Sequence, residues 1–129
     1  MKIPADLIRH YLRPIVAGRG ASEPDPMADL DNFNGDIREM RRRAAAAGDL
    51  SVLRLALVSL VMAPGGRLRD FAGTQYPFND GDLEAVLRHA LERAWPDDPL
   101  PDPGTELPVE LADIPEDEWR AEQATDLGF

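Results

Sequence analysis

Residues 51–62 read SVLRLALVSLVM, and whether they form a helix or a strand decides the fold. A short apolar run is ambiguous by period alone, and its valines favour a strand. Length argues the other way. Twelve residues stand between a capping candidate, Asp49 or Ser51, and the helix-ending Pro64-Gly65-Gly66. Strands more often run about 4–8 residues. The stretch therefore predicts a helix, apolar nearly all round and central to the core.

The segments on either side repeat the helical reading. Before it, Leu30, Phe33, Ile37, Met40 and Ala44 step by three and four residues along one face of a helix over about 30–47. Gly35 weakens its start, so the regular helix can begin at Asn34 or Asp36, and Gly48 is a natural stop. Arg38, Arg41 and Arg42 fall on the opposite face. Earlier still, Leu7, Ile8, Tyr11, Leu12, Ile15 and Val16 form a stripe over Ala5–Val16, with Pro4 placed to begin the helix. Pro14 is expected to end or kink that helix near Leu12, because it lacks an N–H and clashes with the preceding turn. Residues 18–29, GRGASEPDPMAD, read as a loop. After the central stretch, residues 65–82 read as irregular, with one turn at Leu68–Phe71. Asn79 or Asp80 then caps a helix over about Gly81–Ala94 that buries Leu83, Val86, Leu87, Ala90, Leu91 and Ala94.

The expected fold is all-α: a small compact bundle of four to five helices in residues 1–96. Residues 97–129 follow as an acidic, Pro-rich, largely irregular extension. Six prolines between Pro96 and Pro115 prevent regular helix there, while PEDEWRAEQA can form a short terminal one.

Charge divides at the same boundary. Residues 1–96 hold thirteen Arg/Lys and thirteen Asp/Glu. Residues 97–129 hold eleven acids against Arg120 alone, so the whole net charge of −10 sits in the extension. Phosphates would repel that segment, which argues against direct nucleic-acid binding. A basic protein surface is the complementary partner. The extension is nevertheless too apolar for simple disorder. Leu100, Leu107, Val109, Leu111, Ile114 and Trp119 punctuate it, so it is expected to dock on its own body or on a partner. The arginines at 38 and 41–43 read first as a solvated helix face with cations near its C-terminus; nucleic-acid contact and receipt of the extension's acids are the alternatives.

Chemical motifs are sparse. There is no cysteine, hence no disulfide or thiolate chemistry. His10 and His89 have no i, i+4 partner of a zinc helix. DLDNFNGD, residues 29–36, fails as a calcium loop: Phe33 stands at the fifth position and no glutamate at the twelfth. APGGRLRD lacks the Lys-Ser/Thr ending of a phosphate loop. No catalytic residue, metal or cofactor is assigned. The N-terminus has no uninterrupted apolar region of a signal peptide and no run approaches a membrane span, so a cytoplasmic location is expected.

This profile of a small, cysteine-free, acidic body is similar in composition to that of bacterial immunity and inhibitor proteins, which occlude a basic toxin or nuclease. On that reading the partner-binding residues are Asp97, Asp98, Asp102, Glu106, Glu110, Asp113, Glu116, Asp117, Glu118 and Glu122, with Trp119 as the aromatic anchor. Deletion of residues 97–129 is then expected to leave a folded body that no longer binds. The alternatives are a phage or secretion-type assembly subunit whose tail wraps a neighbour, and a small enzyme or ligand-binding helical domain.

Overall fold

The computed structural model describes residues 2–16, 28–62, 80–98, 100–101 and 109–126. The expected turn at Leu68–Phe71 and the capping candidate Asn79 lie outside them. Five α-helices make up most of what is described: α1 (Ala5–Val16), α2 (Asn34–Ala47), α3 (Leu50–Met62), α4 (Asp80–Ala94) and α5 (Glu116–Asp126). Two three-residue strands, β1 (Lys2–Pro4) and β2 (Glu110–Ala112), complete it. The fold is an all-α bundle with this small addition.

The central stretch is a helix. In α3, Leu53, Ala56, Leu57, Val58, Leu60 and Val61 are buried, and no residue after Ser51 is fully exposed. A helix enclosed on nearly every side can carry apolar residues all round. The neighbouring stripes converge on it: Phe33, Ile37, Met40 and Ala44 from one side, and the six residues expected of α4 from the other. Leu30–Phe33 forms a 3-10 turn ahead of α2, so the regular helix starts at Asn34, as Gly35 leads one to expect. Asp29 caps that turn, accepting a hydrogen bond from the Asp31 amide at 2.9 Å. This accounts for the calcium-like run of acids there. Gly48 ends α2 at φ 76°, a left-handed conformation that glycine adopts without Cβ strain. The chain turns directly into α3, where the Asp49 carbonyl accepts from Leu53.

The expectation at Pro14 is corrected. α1 runs on to Val16 with Pro14 inside it. The carbonyl that Pro14 deprives of a donor belongs to His10, an exposed residue, where water can substitute. Continuation carries Ile15 into full burial, worth about 1.5–3 kcal/mol, which offsets most of the proline cost of about 3. Pro4 is not the first residue of α1 but the last of β1.

β1 and β2 pair in parallel, with Ile3 opposite Leu111. Parallel neighbours need a crossover, and here it is the helical body that lies between them in the chain. The extension therefore returns to the N-terminus and joins the fold. Leu111 and Trp119 are buried, and Leu100, Val109 and Ile114 pack against the core. Deleting residues 97–129 would remove β2, α5 and two core side chains, so it is not a clean test of binding.

Candidate functional site

The C-terminal segment is held by its single cation. Asp49, at the α2–α3 junction, is 3% exposed. Its carboxylate accepts two hydrogen bonds from Arg120 of α5, at 2.8 and 3.3 Å, and one from the Tyr11 hydroxyl of α1. Three chain regions far apart in sequence meet at this carboxylate. Such a fork-to-carboxylate pair fixes geometry as well as charge. The carboxylate also sits at the N-terminus of α3, where the helix dipole favours an anion. Arg120 is 41% exposed and reaches Glu116 as well, at 3.3 Å. The hydrogen bond that Arg120 donates to Asp49 raises the already high pKa of its guanidinium.

Burial, then the hydrogen bond to Asp49 and its negative charge, push the Tyr11 phenol from 10.0 up to about 12. A raised pKa means the folded state holds the phenolic proton more tightly. The stabilisation is complete below pH 10 and is lost as pH rises through 12. Two pKa units correspond to about 2–3 kcal/mol. Denaturation curves at pH 9 and near pH 12 are expected to differ by about that amount more in the wild type than in Tyr11→Phe. Equal losses in both would show that Tyr11 is not the group responsible.

The basic patch finds its partners elsewhere than in the described part of the tail. Among the described residues, no ion pair joins Arg38, Arg41, Arg42 or Arg43 to the extension. Arg42 and Arg43 both bind Glu39 on their own helix, at 2.6 and 3.0 Å, and hold its carboxyl down to about 2, with the Arg42 hydrogen bond leading. Arg41 donates to the Ala94 carbonyl at 3.1 Å. Local i, i+3 and i, i+4 partners are available without ordering a distant chain. These arginines thus behave as a largely solvated helix face, and it is one arginine of the tail that meets a carboxylate of the body.

The tail acids whose side chains are described, Asp97, Asp98, Glu110, Asp113, Glu116, Asp117 and Glu118, are all exposed. Asp102 and Glu106 lie outside the described residues. Glu122 lies in α5, with its side chain likewise outside them. Trp119 is not an exposed anchor: it is 4% exposed and belongs to the core. Its indole N–H makes no hydrogen bond among the described residues, and the Arg120 guanidinium lies 5.6 Å from its ring. Burial of the aromatic surface, rather than a polar contact, is what fixes it.

His89, also half within the fold, meets the Asn34 side-chain oxygen at 2.9 Å and lies 3.6 Å from Asp31. Arg93 binds the same Asp31 at 3.0 Å. These four residues tie α4 to the start of α2. No group of three or more His, Asp or Glu among the described residues is arranged to hold a metal. None of the described helices is long and apolar enough to cross a membrane.

Fold and surface together define an all-α bundle protein with an acidic C-terminal face. No family model matches the chain, no curated protein is significantly similar to it, and no solved structure matches its fold.

Proposed function

We propose that this is a cytoplasmic protein-binding protein of the immunity or inhibitor kind, which covers a basic partner with its acidic C-terminal face. One observation supports the reading most. The segment docks through apolar residues and its single arginine, leaving Glu110, Asp113, Asp117 and Glu118 exposed on an ordered scaffold. Acids on an ordered scaffold keep their spacing, so they can steer a basic partner and match it in register without the ordering cost of a loose tail. Nucleic acid is disfavoured as the partner, since phosphates meet the same repulsion.

The test begins with affinity capture from the native host. It continues with the captured partner and the triple variant Asp113→Asn, Asp117→Asn, Glu118→Gln. None of these three side chains takes part in the Asp49 network. The expected result is a basic partner whose association slows about tenfold or more at low salt in the variant, with the difference vanishing above about 0.5 M salt. Capture of an acidic partner, or equal association rates, would overturn the proposal.

A further inference from the structure

The arginines of this chain are unequally satisfied. Arg9, Arg42, Arg43, Arg88, Arg93 and Arg120 each have a carboxylate within 3.5 Å. Arg13 of α1 has none among the described residues, nor do Arg38 and Arg41. The last two are exposed on α2, and both line a groove of about 280 Å³ between α2 and α4. The floor of the groove is apolar, made by Ile37 and Ala94, and Asn34 and Arg93 complete the rim. Arg41 spends only its Nε, on the Ala94 carbonyl, which holds the side chain across the end of α4. Its two terminal nitrogens make no hydrogen bond among the described residues. Asp31 is the one carboxylate among them that pairs with a lining residue, and it engages Arg93.

Two guanidinium groups with no carboxylate partner among the described residues thus stand above an apolar floor. Guanidinium forks match carboxylates in a two-point geometry. An apolar floor adds nothing for a fully hydrated ion such as phosphate, but it does receive a hydrocarbon side chain. We propose that this groove binds an acidic peptide segment of a partner protein. One apolar side chain of that segment lies on Ile37 and Ala94, and its flanking carboxylates meet Arg38 and Arg41. The site lies on α2 and α4, apart from the acidic face, so it stands or falls independently of the inhibitor reading.

The test uses the full chain and a fluorescein-labelled Glu-Glu-Leu-Glu-Glu peptide, read by fluorescence anisotropy at about 50 mM salt, where surface charge is weakly screened. Saturable binding is expected, weakened about tenfold or more when the leucine of the probe is replaced by glycine. Arg38→Glu is expected to weaken it at least tenfold, about the loss of one charge-assisted contact. Arg13→Glu makes the same change in net charge at an exposed position outside the groove and is expected to change binding less than about twofold. Absence of saturable binding would overturn the proposal, as would equal effects of the two arginine variants. Equal affinity for the glycine probe, or displacement by inorganic phosphate at low millimolar concentration, would reassign the groove to plain oxyanions. A concentration-dependent dimer abolished by Arg38→Glu would show that a second copy occupies it, and would overturn the proposal as well.

Discussion

Replacing Arg120 with methionine is expected to destabilise the protein by about 3 kcal/mol, although Arg120 is partly solvated. Removing one partner of a buried ion pair typically costs about 3–5 kcal/mol, because the other charge is left uncompensated. Here the remaining partner is Asp49, at 3% exposure, with the Tyr11 hydroxyl as its one other side-chain donor among the described residues. The estimate falls at the low end because Arg120 is 41% exposed and water already shares in the pair. The reverse change is milder. Asp49→Asn leaves an arginine that can turn into solvent and an amide oxygen that can still accept from Tyr11, so about 1–2 kcal/mol is expected. The double variant should then resemble Asp49→Asn alone rather than the sum of the two. Urea denaturation of all four proteins gives the coupling energy directly. Additive losses would mean that the pair does not hold the segment.

Trp119→Ala is expected to cost about 3–5 kcal/mol, the usual range for deleting a buried large aromatic. For a domain with a total stability of about 5–15 kcal/mol, that is a substantial share. The loss should fall first on α5 and β2, which have few other core residues. Trp119→Phe should be much milder, about 1 kcal/mol. It retains most of the ring surface and removes a buried N–H that has no hydrogen-bond partner among the described residues. Equal losses in the two variants would mean that the indole nitrogen, not the buried surface, is what matters. A negligible loss in Trp119→Ala would mean that the ring is not buried in solution.

The helices were legible because their apolar residues recur at the helical period. Every residue expected on the buried face of α4 is buried there, and Gly48 ends α2 as its chemistry demands. What escaped the sequence reading depends on contacts between distant segments. β1 and β2 are three residues each, too short to announce themselves, and their partners stand at opposite ends of the chain. The alternation of Val109 and Leu111 with Glu110 and Ala112 is the one local trace of period two. Pro14 has a local cost that reads as a helix end, but burial of Ile15 further along the helix offsets most of it. The docking contact of the extension lies where charge alone gives no hint: among eleven acids it is the lone cation that meets a buried aspartate of the body. Arg120 was visible as an exception among the acids. Asp49 was visible as a charge just ahead of the most apolar helix. Nothing local links the two, since they are 71 positions apart. The arginine groove was equally hidden, because Arg93 reaches it from another helix.

Residues 109–120 are built into the fold through Leu111, Trp119 and Arg120 and present their acids from it. Native-state hydrogen exchange tests this most directly. The amide of Trp119, which donates to the Pro115 carbonyl at 3.1 Å, and the paired amides of β1 and β2 are the reporters. The account predicts slow exchange at these sites, lost on Arg120→Met while α3 stays protected. Exchange at unprotected rates in the wild type, with α3 still protected, would contradict it.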